Sequence, residues 1–344
     1  MQKYFDGFDH YGLKTDTPAV IAPIIQAAGW TLRNIAANTF AIVDGRLPNS
    51  LALQFNYQAG VDTNPSASYT VNSNADKVIF GFAVMTSKAR MRVARVEQIV
   101  DIGWDATTGK LSVVSGSNTV VSQDIFILDA WYYLEIVIDK TLNQVKVYAN
   151  DTLQITIPLA SGTYSAYTLT LGQVERVTTA AQQTFDDLYI NDSAQSANAA
   201  NMDRLGPCQV TTRFPTADVQ TDWNIIGGTG TPTHYSVAAR PASANQALYL
   251  QTNTDGATDM FRSNAVLPDD NQVFACALVS FAKKGDLDAR KIGLVMKVDT
   301  TADERQVDLT TSFAFQQAIY EQAPGGAAWD RNKVESTQFG IIAR

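Results

Sequence analysis

The stretch 131–159, WYYLEIVIDKTLNQVKVYANDTLQITIPL, constrains the fold of this chain more than any other, because it spells three antiparallel strands in succession. In the first, Tyr132, Leu134, Ile136 and Ile138 alternate with Trp131, Tyr133, Glu135, Val137 and Asp139. That is the period of two that sets one apolar face on a core. Val145, Val147 and Ala149 then alternate with Lys146, Tyr148 and Asn150, and Leu153, Ile155 and Ile157 with Thr152, Gln154 and Thr156. Asn150 and Asp151, between the last two strands, tolerate a tight reversal. Such a meander is one layer of sheet, and in a chain of 344 residues a second layer must cover it.

Strand signals recur at 51–56, 77–85, 90–100, 110–114, 167–171 and 184–190, with small polar residues between them. Helical spacing is confined to 19–28, where Pro23 limits a helix to a turn or two. After Ile190 the run NDSAQSANAANMD has almost no apolar anchor and reads as a linker. Strand signals resume at 209–214, 247–252, 273–283, 291–298, 306–311, 313–320 and 336–342. Residues 216–240, with Gly227, Gly228, Gly230 and Pro232, read as a long surface loop able to carry contacts. The expected architecture is all-β: a β-sandwich over 1–192, a linker at 193–203 and a smaller β-sandwich over 204–344.

The formal net charge is −8 and neither half of the chain is basic, which disfavours nucleic-acid binding driven by counterion release. Two cysteines, Cys208 and Cys276, are too few for a disulfide framework and read as buried free thiols. The beginning, MQKYFDGFDHYG, has acids and aromatics where a signal peptide needs a basic segment and an apolar run. The most apolar stretch, 18–30, is shorter than a membrane span and holds two prolines. A product made in a cytoplasm, without export signal or membrane insertion, is expected.

Raw material for catalysis is scarce. His10 and His234 are the only histidines, and neither has a ligand-spaced partner. Glu135 and Asp139 share a strand face, the arrangement a glycosidase needs, but a charged residue alternating with apolar ones is also what a solvated face looks like. Glu97, Asp101 and Asp105 are spaced by four and carry no assigned chemistry. Asp186, Asp187 and Asp192 offer oxygens for calcium, though nothing nearby completes a shell of six to eight ligands. Lys88, Arg90, Arg92 and Arg95 form one basic cluster, read as the guarded edge of a sheet. No phosphate-binding, dinucleotide, nucleophile-elbow or CxxC motif is present. No cofactor is expected.

FDGFDHYG at 5–12, WYYLEIVIDK at 131–140 and FDDLYIND at 185–192 together resemble virion proteins of tailed bacteriophages, in which a concanavalin A-like, laminin-G-like sandwich ends in a DDLY-type strand. Thr233-His234-Tyr235, after a loop containing Trp223, and the ending AAWDRNKVESTQFGIIAR resemble the second domain of such proteins. The resemblance implies a concanavalin A-like jelly roll for the first domain and a non-enzymatic decoration, collar or tail-fibre role. Its partners would be itself, as a homo-oligomer, and other virion proteins. Val137 stands where hydrolytic relatives carry a further acid, so activity is not implied. Two alternatives remain: recognition of a host-surface glycan, with Tyr133, Tyr148, Tyr164 and Tyr167 as exposed stacking or partner contacts, and a depolymerase using Glu135 and Asp139.

Overall fold

The computed structural model describes residues 1–36, 38–59, 64–88, 91–105, 107–172, 179–244, 246–264, 266–267 and 272–344. The chain is almost entirely antiparallel β and divides into two compact units, Met1–Thr211 and Thr212–Arg344.

In the first unit the predicted meander forms as strands Tyr132–Asp139, Gln144–Ala149 and Thr152–Pro158. The last two are joined through Asn150 and Asp151, both at positive φ, as a tight hairpin requires. The meander is one end of an eight-stranded sheet, which continues through Lys77–Thr86, Ala181–Asp192, Leu51–Tyr57 and Phe40–Asp44, with Gln2–Asp6 also paired to Ala181–Asp192. A seven-stranded sheet lies opposite, in the order Asn118–Ile125, Lys110–Ser115, Val100–Trp104, Arg92–Val96, Ala166–Leu171, Ser66–Asn72 and Thr31–Arg33. Phe80, Phe82, Leu134, Ile136, Phe185 and Ile190 of one sheet and Val93, Val96, Ile102, Val113, Leu169 and Leu171 of the other are buried, forming the core of the sandwich. Across it the Tyr4 and Tyr69 rings stack with centroids 4.0 Å apart.

Several expectations change. The signal at 90–100 resolves into two strands, Arg92–Val96 and Val100–Trp104, reversing at Gln98 with φ 63°. Leu153 is exposed rather than on the apolar face. The hairpin register shifts between Val147 and Tyr148, pairing Leu153 with the outward-facing Tyr148. The helix Pro18–Ala27 runs ten residues despite Pro23, because Ile21, Ile24 and Ile25 bury one side of it. Residues 193–203 lie within the first unit, where Ala199–Met202 forms a 3-10 turn and Asn201 is fully buried. No helix among the described residues is long and apolar enough to cross a membrane.

The second unit is a smaller sandwich. Its five-stranded sheet runs Ala217–Thr221, Thr258–Arg262, Gln338–Ala343, Lys291–Val298 and Thr301–Asp308. The Cys276–Ala282 and Ala314–Tyr320 pair closes over it, so that Leu294, Met296 and Val298 form a cluster with Ala318, Tyr320 and Trp329. The Tyr320 hydroxyl donates to the Leu294 carbonyl at 2.6 Å and the Trp329 indole N–H to the Tyr320 carbonyl at 2.7 Å. Residues 209–214 form no strand. The presumed loop 216–240 contains strands Ala217–Thr221 and Asn224–Ile226 and the short helix His234–Ala238. Fully buried Asp259 fixes this region by accepting from the Trp223 amide at 2.9 Å and bonding His234 Nδ1 at 2.7 Å. His234 and Trp223 are thereby tied into the second unit's framework.

Candidate functional site

The outer face of the eight-stranded sheet gathers most of the residues on which a function was sought. Strand Tyr132–Asp139 turns Tyr133, Glu135 and Val137 to that face, yet all three are buried. Their cover is the chain's own segment 204–210, whose Leu205 and Cys208 pack with Ile79, Ala83, Tyr133, Val137 and Tyr189.

Glu135 is fully buried and holds this strap. Its Oε1 accepts from the Tyr189 hydroxyl at 2.5 Å and the Gly206 amide at 2.9 Å, and its Oε2 from Arg204 Nη1 at 2.6 Å. Arg204 lies over the Tyr148 ring, 4.1 Å from its centroid, and also reaches Asp151 at 2.6 Å. These contacts raise the guanidinium's pKa against the pull of its partial burial. The Tyr189 hydroxyl in turn accepts from the Leu205 amide at 3.1 Å. Burial first, then the neighbouring Glu135 carboxylate, pushes the Tyr189 phenol well above its usual range.

Gly81 makes room for that phenol. A Cβ there would come within 2.1 Å of the Tyr189 ring. Gly81→Ala is expected to displace the ring, break its bonds to Glu135 and Leu205, and destabilise the first unit by about 1–3 kcal/mol in a denaturant titration.

The other end of the strap is held by Asp187, the second of two consecutive acids. A plain strand would point Asp186 and Asp187 to opposite faces. The register instead shifts between Asp186 and Tyr189, with Asp187 at φ 52°, and both carboxylates serve the outer side. Asp186 accepts from its neighbour's amide and the Arg46 amide, each at 2.8 Å. Asp187 accepts from Arg46 Nε at 2.7 Å and the Val210 amide at 2.7 Å, while Arg46 Nη2 donates to the Cys208 carbonyl at 2.5 Å. Burial, then the adjacent Asp187 charge, raises the Asp186 pKa to about 7, and burial raises that of Asp187 against the pull of Arg46. Burial and the acids Glu135 and Asp187 push the Cys208 thiol up to about 12, far from a reactive thiolate.

The expected contacts fare unequally. Tyr133 and Tyr167 are buried, not exposed: the strap covers Tyr133, whose hydroxyl donates to the Asp187 carbonyl at 3.0 Å, and Tyr167 points into the sandwich core. Tyr148 is half-buried beneath Arg204, and Tyr164 is half-buried with its hydroxyl on the Ala160 carbonyl at 2.8 Å. The face of Glu135 and Asp139 is not solvated, since Asp139 is also buried and accepts from the Leu142 amide at 2.9 Å. Asp192 accepts from the Ser73 hydroxyl at 2.7 Å and from Lys3 at 2.9 Å, apart from the partners of Asp186 and Asp187. Among the described residues no group of three or more potential ligands is placed to hold a metal.

The basic cluster is not an edge. Strand Arg92–Val96 lies inside the seven-stranded sheet, and both Arg92 and Arg95 bond Asp101, at 2.8 and 2.5 Å. Arg90 falls outside the described residues. His10 is half-buried against the Tyr11 ring, and its loss of solvent lowers its pKa.

Sequence reasoning missed a cleft of about 540 Å³ in the second unit, lined by Gln272, Val273, Trp329, Asp330, Arg331, Asn332 and Glu335. The tripeptide WDR within the landmark ending was its visible trace.

No protein-family model matches the sequence, and no curated protein matches it. Solved structures similar to it include a sialidase, with 9% identity and a TM-score of 0.41 over 57% of this chain and 19% of that one. The chain thus spans about a fifth of the sialidase's length. Others are cellulose induced protein Cip1, with 12% identity and a TM-score of 0.40 over 55% and 96% of the two chains, and the carbohydrate binding module CBM66 from Bacillus subtilis, with 12% identity and a TM-score of 0.31 over 48% and 96%.

Proposed function

We propose that the chain is a non-enzymatic structural or adhesive protein of a tailed-phage particle, a decoration, collar or tail component that assembles with itself and with other virion proteins. The observation that carries this reading is the strap. The candidate acids Glu135, Asp186 and Asp187 are bonded to the chain's own backbone and arginines, and the face they would work on is filled by residues 204–210. The virion placement itself rests on the resemblance of FDGFDHYG, WYYLEIVIDK and FDDLYIND.

The surfaces left for assembly include the rim where Asn118–Ile125 and Thr152–Pro158 end their sheets, joined by a 2.7 Å bond from Gln154 to Asp124. Val121, Ile125, Ile127, Leu128 and Leu153 are exposed there, an uncommon density of apolar side chains beside edge strands. Purified protein is expected to self-associate in sedimentation velocity runs, and Ile125→Lys with Ile127→Lys to shift it toward monomer. Mass spectrometry of purified particles should find the chain. A protein that stays monomeric at high concentration and is absent from particles overturns the reading. Host polysaccharide incubated with it is expected to keep its size, and shortening would revive the depolymerase alternative.

A further inference from the structure

We propose that the second unit's cleft binds a short, uncharged, hydroxyl-rich ligand, a neutral mono- or disaccharide. Its volume of about 540 Å³ falls within the ~300–1,000 Å³ typical of small-molecule sites. Trp329 closes the floor: it is buried, with its indole N–H donating to the Tyr320 carbonyl, and the accessible lining above it is mostly polar. Around it stand Gln272 and Asn332, both exposed, whose side-chain amides have no hydrogen-bond partner among the described residues. Each amide offers a donor and an acceptor side by side, the match for vicinal hydroxyls.

The charged groups of the cleft are already matched. Arg331 Nε donates to Glu335 Oε1 at 2.8 Å, and the same oxygen accepts from the Leu267 amide at 2.8 Å. Asp330 is paired with Lys333. Each of the two lining acids is paired with a base, so no unpaired cation awaits an anionic sugar, and the carboxylate of a uronate or sialate would find no counter-charge. A polar lining, free amides and paired charges select a polar, neutral guest. This site stands apart from the strapped face, and its failure would leave the structural role untouched.

The test is saturation-transfer NMR and calorimetric titration of the whole chain with cellobiose, lactose, chitobiose and trigalacturonate. At least one neutral disaccharide is expected to bind saturably with a Kd of about 1 mM, and trigalacturonate not to bind. Gln272→Ala with Asn332→Ala should weaken binding about tenfold without lowering the melting temperature, because both side chains are exposed. Three outcomes overturn the proposal: no saturable binding of any neutral disaccharide, unchanged binding by the double variant, or preferential binding of trigalacturonate.

Discussion

Arg204→Ala is expected to cost the first unit about 3 kcal/mol, the loss typical of stripping one partner from a buried ion pair. The pair is lopsided. The Glu135 side chain is 1% exposed and Arg204 23%, so the variant leaves a carboxylate under the strap with only the Tyr189 hydroxyl and the Gly206 amide. For a unit of this size the loss corresponds to a fall of roughly 6–12 °C in melting temperature. Adding Glu135→Gln should restore part of it, because the double variant removes the stranded charge as well as its partner. If Arg204→Ala melts with the wild type, Glu135 is not held as described. A second readout is proteolysis, since cleavage within 204–210 should accelerate in Arg204→Ala before global unfolding does.

The second large effect is a fall in stability as pH rises from 4 to 7. Asp186 has a folded pKa of about 7, raised from an ordinary carboxylate value. A group whose pKa is raised on folding adds stability that is complete below the unfolded pKa and is lost as pH passes up through the folded one. The span of about three pH units corresponds to a loss on the order of 4 kcal/mol. Asp187, raised as well by its burial, acts in the same direction. Asp192 opposes them at the acid end: its lowered pKa adds stability above the unfolded value and loses it as pH falls. Asp186→Asn should flatten the profile between pH 5 and 7. It should also lower stability at pH 5, where the amide nitrogen cannot accept from the Arg46 or Asp187 backbone as a carboxyl oxygen does. Urea titrations at each pH measure both, and a profile with the wild-type slope in Asp186→Asn would sink the assignment.

The meander was legible because alternation is local: Leu134, Ile136 and Ile138 announce a face within five residues. What the other face meets is not local. Glu135 lies 69 residues from Arg204, and Asp187 lies 141 from Arg46, separations that no short pattern encodes. Tyr133 therefore read as a solvent-facing ring, although a later segment buries it. The motifs behind the phage resemblance gain a physical meaning here. Glu135 of WYYLEIVIDK and Asp187 and Tyr189 of FDDLYIND bond the strap directly, and Tyr133 packs beneath it. The polar run after Ile190 misled because a turn docked through one buried residue, Asn201, needs hydrogen bonds rather than apolar anchors: Asn198 caps it through the Ala200 amide at 3.2 Å. The cleft escaped because Gln272 and Trp329 meet only in three dimensions.

The strap also sets where nature could splice this chain. A gene fusion that ended the first unit at Asp192, after its last strand, would leave Tyr133, Val137 and Tyr189 bare and Glu135 without its counter-charge. The exchangeable module is the sandwich together with its tail to Thr211. Recombination between such proteins should therefore leave its scars beyond the strap, with the DDLY-type strand and the Arg204 segment inherited as one.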